Sequence, residues 1–272
     1  MSAVTATTRR VAALARRDAR VELSYHFQLL LRLVNILLSV LTFFFLGRLV
    51  GDAAPLARYD GGYFSFALIG LVMTGLAYTC ISSFSRSVAQ AQSDGTFEIL
   101  LSTTTPLGTL MAGTLVVPFV MSVFDAVIYL GVGWALTGGE LPLLSLLTAI
   151  PLVVLTLGTF CAVGLLSAAV IVLSKRGDPL AGMTLQVGNL LAGALFPVAL
   201  LPEPVQVLSR AIPAYYGLNG IRDVVLAGAG LGDVVHEMAV LAGFNVVLLP
   251  ASLWVLKRAI AVARVTGTLG NR

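Results

Sequence analysis

Charged residues are scarce in this sequence. Only 11% of its 272 residues are Asp, Glu, Lys or Arg, and 58% are hydrophobic, whereas a soluble globular domain carries about 25% charged residues. The chain therefore has too little polar surface for water to be its main solvent. It also has no long polar linker between its apolar stretches, so we expect a single domain covering residues 1–272.

The residue patterns that hold nucleotides, metals and catalytic nucleophiles are missing too. A P-loop needs Gly-x-x-x-x-Gly-Lys-Ser/Thr, but the only two lysines, Lys175 and Lys257, are each followed by arginine. His236-Glu237 lacks the second histidine of a zinc-protease motif, and no Gly-x-Ser-x-Gly occurs. We therefore expect no catalytic residue, no cofactor-binding residue and no metal ligand, and we do not expect this chain to be an enzyme.

Cysteine is rare, and basic residues do not follow the pattern of a nucleic-acid site. Cys80 and Cys161 both lie inside apolar stretches, so they form neither a zinc motif nor a secreted disulfide framework, and buried free thiols are expected. The formal net charge is +4, but the basic residues stand at the ends of apolar runs. That placement is typical of membrane topology, so we expect no nucleic-acid partner.

Long apolar runs dominate what is present. A segment of about 18 residues or more at about 1.5 Å per residue crosses a ~30 Å hydrocarbon core. The sequence predicts an all-α integral membrane protein with six transmembrane helices, over residues 30–50, 63–83, 110–136, 143–173, 180–201 and 235–256. The first apolar run, 33–50, is too long and begins too late for a signal peptide, so we expect it to be retained.

Orientation follows from the basic residues, which are enriched on the cytoplasmic side of a membrane. With the N-terminus inside, thirteen Lys and Arg lie inside and four lie outside. The four outside are Arg48, Arg58, Arg210 and Arg222, and the inside group is Arg9, Arg10, Arg16, Arg17, Arg20, Arg32, Arg86, Lys175, Arg176, Lys257, Arg258, Arg264 and Arg272. We therefore expect a multi-pass protein of the plasma (inner) membrane with both termini in the cytoplasm.

The first 24 residues alternate basic and apolar side chains at roughly helical spacing. Arg16, Arg17 and Arg20 are interleaved with residues such as Leu14 and Val21. This pattern is typical of an amphipathic helix on the membrane surface, and lipids would be its partner. A disordered basic tail that only sets the orientation is the alternative.

Two connections are long enough to form structure of their own. Residues 84–109, on the cytoplasmic side, have a helix-like stretch, a break at Ser93-Asp94-Gly95 and a second polar-to-apolar stretch ended by Pro106. Residues 202–234, on the outer side, have apolar residues at helical intervals on both sides of Pro213. We expect two short helices there that enter the outer leaflet, because a plain loop would leave this apolar area in water.

Asp125 is the one acidic residue deep inside a predicted span. An ionisable group inside the membrane is a functional candidate, because exposing it to lipid is costly. The alternative is a packing role, with hydrogen bonds to Ser122 or Tyr129 on the same helix face. Small residues four apart also occur and indicate close helix packing; the pairs are Gly131 with Ala135, Gly158 with Ala162, Gly164 with Ala168, and Gly188 with Ala192.

Two stretches of the sequence resemble ABC-2 type transporter permeases. One is the cytoplasmic run 93–101, SDGTFEILL, followed by Pro106 and a long span. The other is ALFPV at 194–198, followed by Leu201-Pro202, Ile212-Pro213 and Gly220-Ile221-Arg222. The first is similar to the family's coupling helix, and the second to its fifth helix and re-entrant outer helices. In combination with six spans and an N-terminal amphipathic helix, the resemblance covers nearly the whole chain.

The resemblance implies an ABC exporter whose ATPase is a separate protein. It implies a homodimer, or a pair with a related permease, on two cytoplasmic ABC ATPase subunits that hold ATP and Mg²⁺. The residues implied in ATPase coupling are Asp94, Gly95, Thr96, Phe97, Glu98, Ile99 and Leu100. The substrate path would lie at the dimer interface along the second and fifth spans, with Phe196 and Pro197 as gate candidates and Asp125 as a further candidate.

The expected cargo is amphipathic, because the spans offer aliphatic and aromatic surface with few charges. A drug-like compound, a lipid and a lipid-linked glycan all fit that description. One alternative is an ATP-independent secondary carrier that uses Asp125, although such carriers usually have several intramembrane acids or an internal repeat. Another is a membrane scaffold that binds a cytoplasmic partner through residues 94–101.

Overall fold

The structure is a computed structural model that describes residues 26–51, 59, 61–93, 95, 107–139, 142, 144–174 and 179–265. These residues form helices and turns, with no strand among them. The described α-helices are α1 His26–Val50, α2 Gly62–Ser93, α3 Leu107–Leu136, α4 Ser145–Thr148, α5 Ile150–Ser174, α6 Pro179–Leu191, α7 Glu203–Ser209, α8 Pro213–Leu226 and α9 Val235–Val265. A 3₁₀ turn, Val198–Leu200, lies between α6 and α7.

Five of these helices, α1, α2, α3, α5 and α9, are long and apolar enough to cross a membrane. They match five of the six predicted spans, and the chain is a multi-pass membrane protein. Most of the apolar surface of α1, α3 and α9 is exposed, whereas α2 and α5 are largely buried inside the protein. Helices α2 and α5 therefore form the centre of the bundle.

The predicted fifth span, 180–201, differs from the structure. The helix there, α6, has 13 residues and ends at Leu191, which is shorter than the ~20 residues of a full crossing. Residues 192–197 are not helical. The prediction of one continuous helix was wrong because it passed over Gly193, a residue type that commonly ends helices.

The second and fourth predicted spans also differ from the structure. The predicted span 143–173 is split into α4 and α5, and Pro151 stands in the first turn of α5, where its missing N–H is not needed. The second span continues past position 83 to Ser93, which confirms the helix-like stretch predicted there. At about 1.5 Å per residue this 32-residue helix is about 48 Å long, longer than the ~30 Å hydrocarbon core.

The buried side chains show how the long helices are aligned. One core cluster joins early residues of three helices, Leu68 of α2, Leu152 of α5 and Leu241 of α9, with Ile221 of α8. A second cluster joins late residues of the same helices, including Val88, Val172 and Ile260. Helices α2, α5 and α9 therefore run in one direction, and α8 packs at the end where they begin. We call this end of the bundle the α8 end.

The flanking helices α1 and α3 run the opposite way. Gly47, late in α1, lies so close to α2 that an added Cβ would be 3.1 Å from the Cβ of Phe64. Gly133, late in α3, faces the side chain of Leu68. Both contacts join the last turns of one helix to the first turns of α2, which is the arrangement expected for successive membrane crossings.

Candidate translocation pathway

A row of polar side chains follows one face of α2. Thr74, Tyr78, Ser82 and Arg86 are four residues apart, so they lie above one another on the helix. The guanidinium of Arg86 lies 5.1 Å from the Tyr78 ring centre and donates to the Ser82 hydroxyl at 2.5 Å. Tyr78 and Arg86 are both exposed. Polar side chains are costly on a helix face that contacts only apolar neighbours or lipid, so this row indicates a polar surrounding.

Helix α6 meets this row near its own end. The Thr74 hydroxyl donates to the side-chain oxygen of Asn189 at 3.2 Å, which joins α2 to α6. The second helix and the short helix in the predicted fifth span are therefore in contact here, whereas the predicted substrate path at a dimer interface stays a prediction. The polar row on α2 and the neighbouring face of α6 form the candidate lining of a pathway, because both carry polar groups at membrane depth.

Helix α6 ends in a Schellman motif centred on a glycine. Gly193 has φ of 70°, which is the left-handed conformation that glycine adopts without penalty. The amide of Ala194 donates to the Asn189 carbonyl at 2.9 Å, and the amide of Gly193 donates to the Leu190 carbonyl at 3.2 Å. These two bonds are the pair that defines the motif. The chain then leaves the helix axis in residues 192–197, which we call the α6 turn.

Arg222 of α8 holds the α6 turn against α2. Its side chain is 1% exposed. The guanidinium donates to the carbonyl oxygens of Gly193 at 2.8 Å, Ala194 at 2.6 Å and Phe66 at 3.1 Å. It also lies over the Phe66 ring, 3.4 Å from the ring centre. One buried cation thus connects three elements, α2, the α6 turn and α8.

The charge of Arg222 is compatible with this buried position. The carbonyls of Gly193 and Ala194 follow the C-terminus of α6, where the partial negative charge of the helix stabilises a cation. The face of the Phe66 ring adds a cation–π interaction. In a membrane no bulk water can hydrogen-bond the carbonyls of a broken helix, so a side chain must do so.

Gly70 allows the approach of the turn to α2, and Gly193 allows the turn itself to fold closely against Val198. A Cβ added to Gly70 of α2 would overlap the Ala194 carbonyl oxygen and lie 2.9 Å from the Arg222 guanidinium. A Cβ added to Gly193 would lie 2.6 Å from the side chain of Val198. The α6 turn therefore contacts α2 through backbone atoms, at a distance that larger side chains would not permit.

The gate candidates Phe196 and Pro197 lie in the α6 turn, not in a helix. Both are half-buried, and Pro197 has extended backbone angles, φ −61° and ψ 133°, directly before the 3₁₀ turn. The contacts of this turn position both residues at the α8 end, beside the first turns of α2. Their gating role remains a prediction.

Asp125 of α3 is paired with Arg32 of α1. The guanidinium Nε donates to Asp125 Oδ2 at 2.6 Å, and Nη2 lies 2.5 Å from the same oxygen. The Asp125 side chain is 20% exposed and the Arg32 side chain 31%. The packing interpretation named Ser122 and Tyr129 as partners on the same helix, whereas the recorded partner comes from the neighbouring span.

Other predicted residues are outside the described part of the chain. The interfacial residues Arg16, Arg17 and Arg20 fall there, and so do six of the seven coupling residues, Asp94, Thr96, Phe97, Glu98, Ile99 and Leu100. Gly95 is described: it is exposed, has φ of 65°, and donates to the Gln92 carbonyl at 3.2 Å. The predicted break after Ser93 is therefore confirmed at this residue.

Sequence reasoning missed the contacts of Arg222 and Arg32: it used Arg32 only as a topology signal, and Arg222 only as a topology signal and as part of the Gly220-Ile221-Arg222 motif. For Arg222 the sequence does contain a signal, because the residue interrupts a run of apolar residues at helical spacing in which a surface charge would be unusual. For Arg32 there is none, since its partner is 93 positions away. Both cysteines are free; Cys80 is buried as expected, whereas Cys161 is half-buried. Within the described residues, no group of three His, Cys, Asp or Glu could hold a metal ion.

Comparisons with known proteins agree with the geometry. The family model described as ABC-2 type transporter matches residues 10–226, which is most of the chain and ends at the last residue of α8. A comparison with curated proteins gives no match. The matched range contains α1 to α8 with the broken fifth segment, and the chain belongs to the ABC-2 type transporter family.

Proposed function

We propose that this chain is the permease subunit of an ATP-driven exporter whose ATPase is a separate cytoplasmic protein. The observation that carries the proposal is the position of α2 in a chain of this family. This helix runs unbroken from the α6 turn to Ser93, directly before the predicted coupling residues. A rigid, central helix of this length can transmit movement from an ATPase to the far side of the membrane.

Six crossings are supported by the direction of the helices. Helices α5 and α9 run the same way, so the chain must return across the membrane between them. Helix α6 starts that return, and the α6 turn and the 3₁₀ turn continue it to the α8 end. Together with the excess of basic residues expected inside, this supports the proposal that the α8 end lies outside and both termini lie in the cytoplasm.

The proposed partners are two ABC ATPase subunits and a second permease, either a copy of this chain or a related one. In this assembly Asp94 and Glu98 would pair with basic residues on the ATPase, and Phe97, Ile99 and Leu100 would fill an apolar groove. ATP and Mg²⁺ would belong to the ATPase. Such coupling requires two states that differ in their contacts.

The proposed cargo is an amphipathic molecule such as a drug-like compound, a lipid or a lipid-linked glycan. The candidate lining supports this class, because Thr74, Tyr78 and Asn189 provide hydrogen-bonding groups within an otherwise apolar bundle. Apolar surface with a few polar groups is the usual composition of small-molecule sites. Export is the direction proposed from the resemblance of the chain.

The alternative of a secondary carrier depends on Asp125. One observation favours it, since Oδ1 of this carboxylate is buried and makes no hydrogen bond among the described residues. The pair with Arg32 weighs against it, because the carboxylate already has a cationic partner from the neighbouring helix. We therefore place the carrier second.

The coupling assignment is tested by charge reversal at Glu98. The chain is purified in mild detergent, and the ATPase that copurifies is quantified. We expect Glu98→Lys to lower recovery about tenfold, because hydrogen bonds to charged groups contribute roughly 1.5–3 kcal/mol. Helix insertion should be unaffected, which a protease-protection pattern would show.

Glu203→Lys is the matched control. This glutamate is exposed in the first turn of α7, at the α8 end of the bundle, so the same charge change there should leave ATPase recovery as in the unmodified chain. Equal recovery for Glu98→Lys would overturn the coupling assignment. Recovery of no ATPase with the unmodified chain would overturn the exporter proposal.

A further inference from the structure

Arg222 bonds both to the turn that follows α6 and to α2, so a movement of α6 relative to α2 would change its hydrogen bonds. Its carbonyl partners at Gly193 and Ala194 belong to the α6 turn, and its third partner, the Phe66 carbonyl, belongs to α2. The backbone ladder of α6 does not use the first two carbonyls, because they follow the Schellman motif. Their distance from the guanidinium therefore depends on how the turn is seated against α2 and α8.

The geometry of this contact allows a second arrangement. With the turn seated on Gly70, the Ala194 oxygen and the guanidinium fill the space that a side chain would take. If α6 tilts away from α2, both turn carbonyls leave the guanidinium while the Phe66 carbonyl and ring remain. Packed interiors switch between such states and do not deform continuously.

The other end of α2 reaches the predicted coupling residues. From Phe66 to Ser93 the helix is unbroken, a distance of about 40 Å at the usual rise per residue. A shift or rotation of α2 at its cytoplasmic end is therefore transmitted to Phe66 and Gly70, the two residues of α2 that meet the Arg222 site.

We propose that Arg222 is a latch that holds the α6 turn on α2 and so keeps the α8 end of the pathway closed, and that an α2 movement opens it. This inference rests on the proposed function, since the movement would come from the ATPase. Arg222 is a positioning residue here: it acts on the turn that contains Phe196 and Pro197 and need not contact the cargo.

The test measures how readily the α6 turn opens. A cysteine is placed at Ala194, whose side chain is 0% exposed, in a chain carrying Cys80→Ala and Cys161→Ala. Its rate of reaction with a small membrane-permeant maleimide is then measured in membranes. Arg222→Met should raise the rate about tenfold, the factor expected on losing hydrogen bonds to a charged group.

Two further variants keep the test decisive if Arg222→Met does not fold. Gly70→Ala displaces the Ala194 carbonyl from α2 while residue 222 stays an arginine, so it should also raise the rate. Arg222→Lys keeps the charge but loses the planar guanidinium that reaches three carbonyls. Its reaction rate should therefore lie between those of the chain with Arg222 and of Arg222→Met. Arg210→Met is the matched control: Arg210 is exposed before α8, and its loss should leave the rate unchanged.

The same maleimide reaction on the complex with its ATPase distinguishes a latch that responds to nucleotide from a purely structural role of Arg222. With Arg222 intact, trapping nucleotide with vanadate should change the rate, and in Arg222→Met the trapped and nucleotide-free rates should be equal while ATP hydrolysis continues. A full nucleotide response in Arg222→Met, or an unchanged rate in both Arg222→Met and Gly70→Ala, overturns the latch alone. Failure to recover any ATPase with the unmodified chain overturns the proposed function.

Discussion

At the scale of single residues, the ion pair between Arg32 and Asp125 is the clearest polar contact between two spans. It joins α1 and α3, two helices in which few residues are buried. Removing one partner leaves a charge at membrane depth without its counter-ion, which costs more than the pair itself contributes.

We expect Asp125→Asn to lower the free energy of unfolding in detergent by roughly 1.5–3 kcal/mol, as for other hydrogen bonds to charged groups. The double variant with Arg32→Gln should lose less than the sum of the two single variants. Thermal unfolding measures all three. Asn35→Ala is the control, because the Asn35 side chain donates a hydrogen bond within its own helix, to the Leu31 carbonyl. Additive losses would show that the pair is not coupled.

Gly193, just after α6, and Gly188, within it, should respond differently to replacement by alanine. Gly193→Ala requires a left-handed conformation that costs an alanine roughly 1–2 kcal/mol, and its Cβ would meet Val198. Gly188 is helical, and no described atom lies within 4 Å of a Cβ added there. Gly188→Ala should therefore stabilise by up to about 1 kcal/mol. Unfolding temperatures that move in the same direction would contradict this account of the α6 turn.

At the scale of helices, the small-residue pairs predicted from spacing divide into two groups. Gly158 and Gly164 of α5 are in close contact: a Cβ at Gly164 would lie 2.6 Å from the Cys80 carbonyl oxygen of α2, and one at Gly158 would overlap the side chain of Asn245 of α9. Gly131 of α3 and Gly188 of α6 face open space within the described chain. The spacing was the same in all four, so the neighbours decide which glycine is needed.

This difference predicts that Gly164→Ala destabilises the bundle and Gly131→Ala does not. At Gly164 the obstacles are backbone oxygens of α2, which cannot move aside without shifting the helix, and overpacking of this kind costs about 1–3 kcal/mol. The unfolding temperature of each variant in the same detergent is the measurement. Equal temperatures for the two variants would mean that α2 and α5 are not in close contact.

Helix existence was more predictable than helix ends. Five of the six apolar runs are long helices, because about 20 apolar residues have few alternatives in a bilayer. The end of α6 was missed although Gly193 marks it, since apolar residues continue to Leu201 and hydropathy does not register a change of direction. The helix-like stretch predicted after position 83 is continuous with α2, and Val88 and Ala91 are buried there in a cluster with residues of α5 and α9; local composition predicted the helix but not this packing.

At the scale of the whole molecule, the orientation can be tested with two alanines at opposite ends of the bundle. Ala227 is exposed just after α8, and Ala261 is exposed near the end of α9. In a chain carrying Cys80→Ala and Cys161→Ala, we expect a membrane-impermeant maleimide to label Ala227→Cys in intact cells. Ala261→Cys should react only after the membrane is permeabilised. The reverse pattern would invert the topology and with it the assignment of the cytoplasmic coupling residues.

The sequence by itself determined that the protein is helical, lies in a membrane and belongs with transporter permeases, because these properties follow from composition and local order of residues. Only the tertiary structure decided which charges meet. Arg32 finds Asp125 93 positions away, and Arg222 finds the Phe66 carbonyl 156 positions away. A cation in an apolar bundle must be satisfied by whatever oxygen the packing brings near it, and that depends on how the helices are arranged in space.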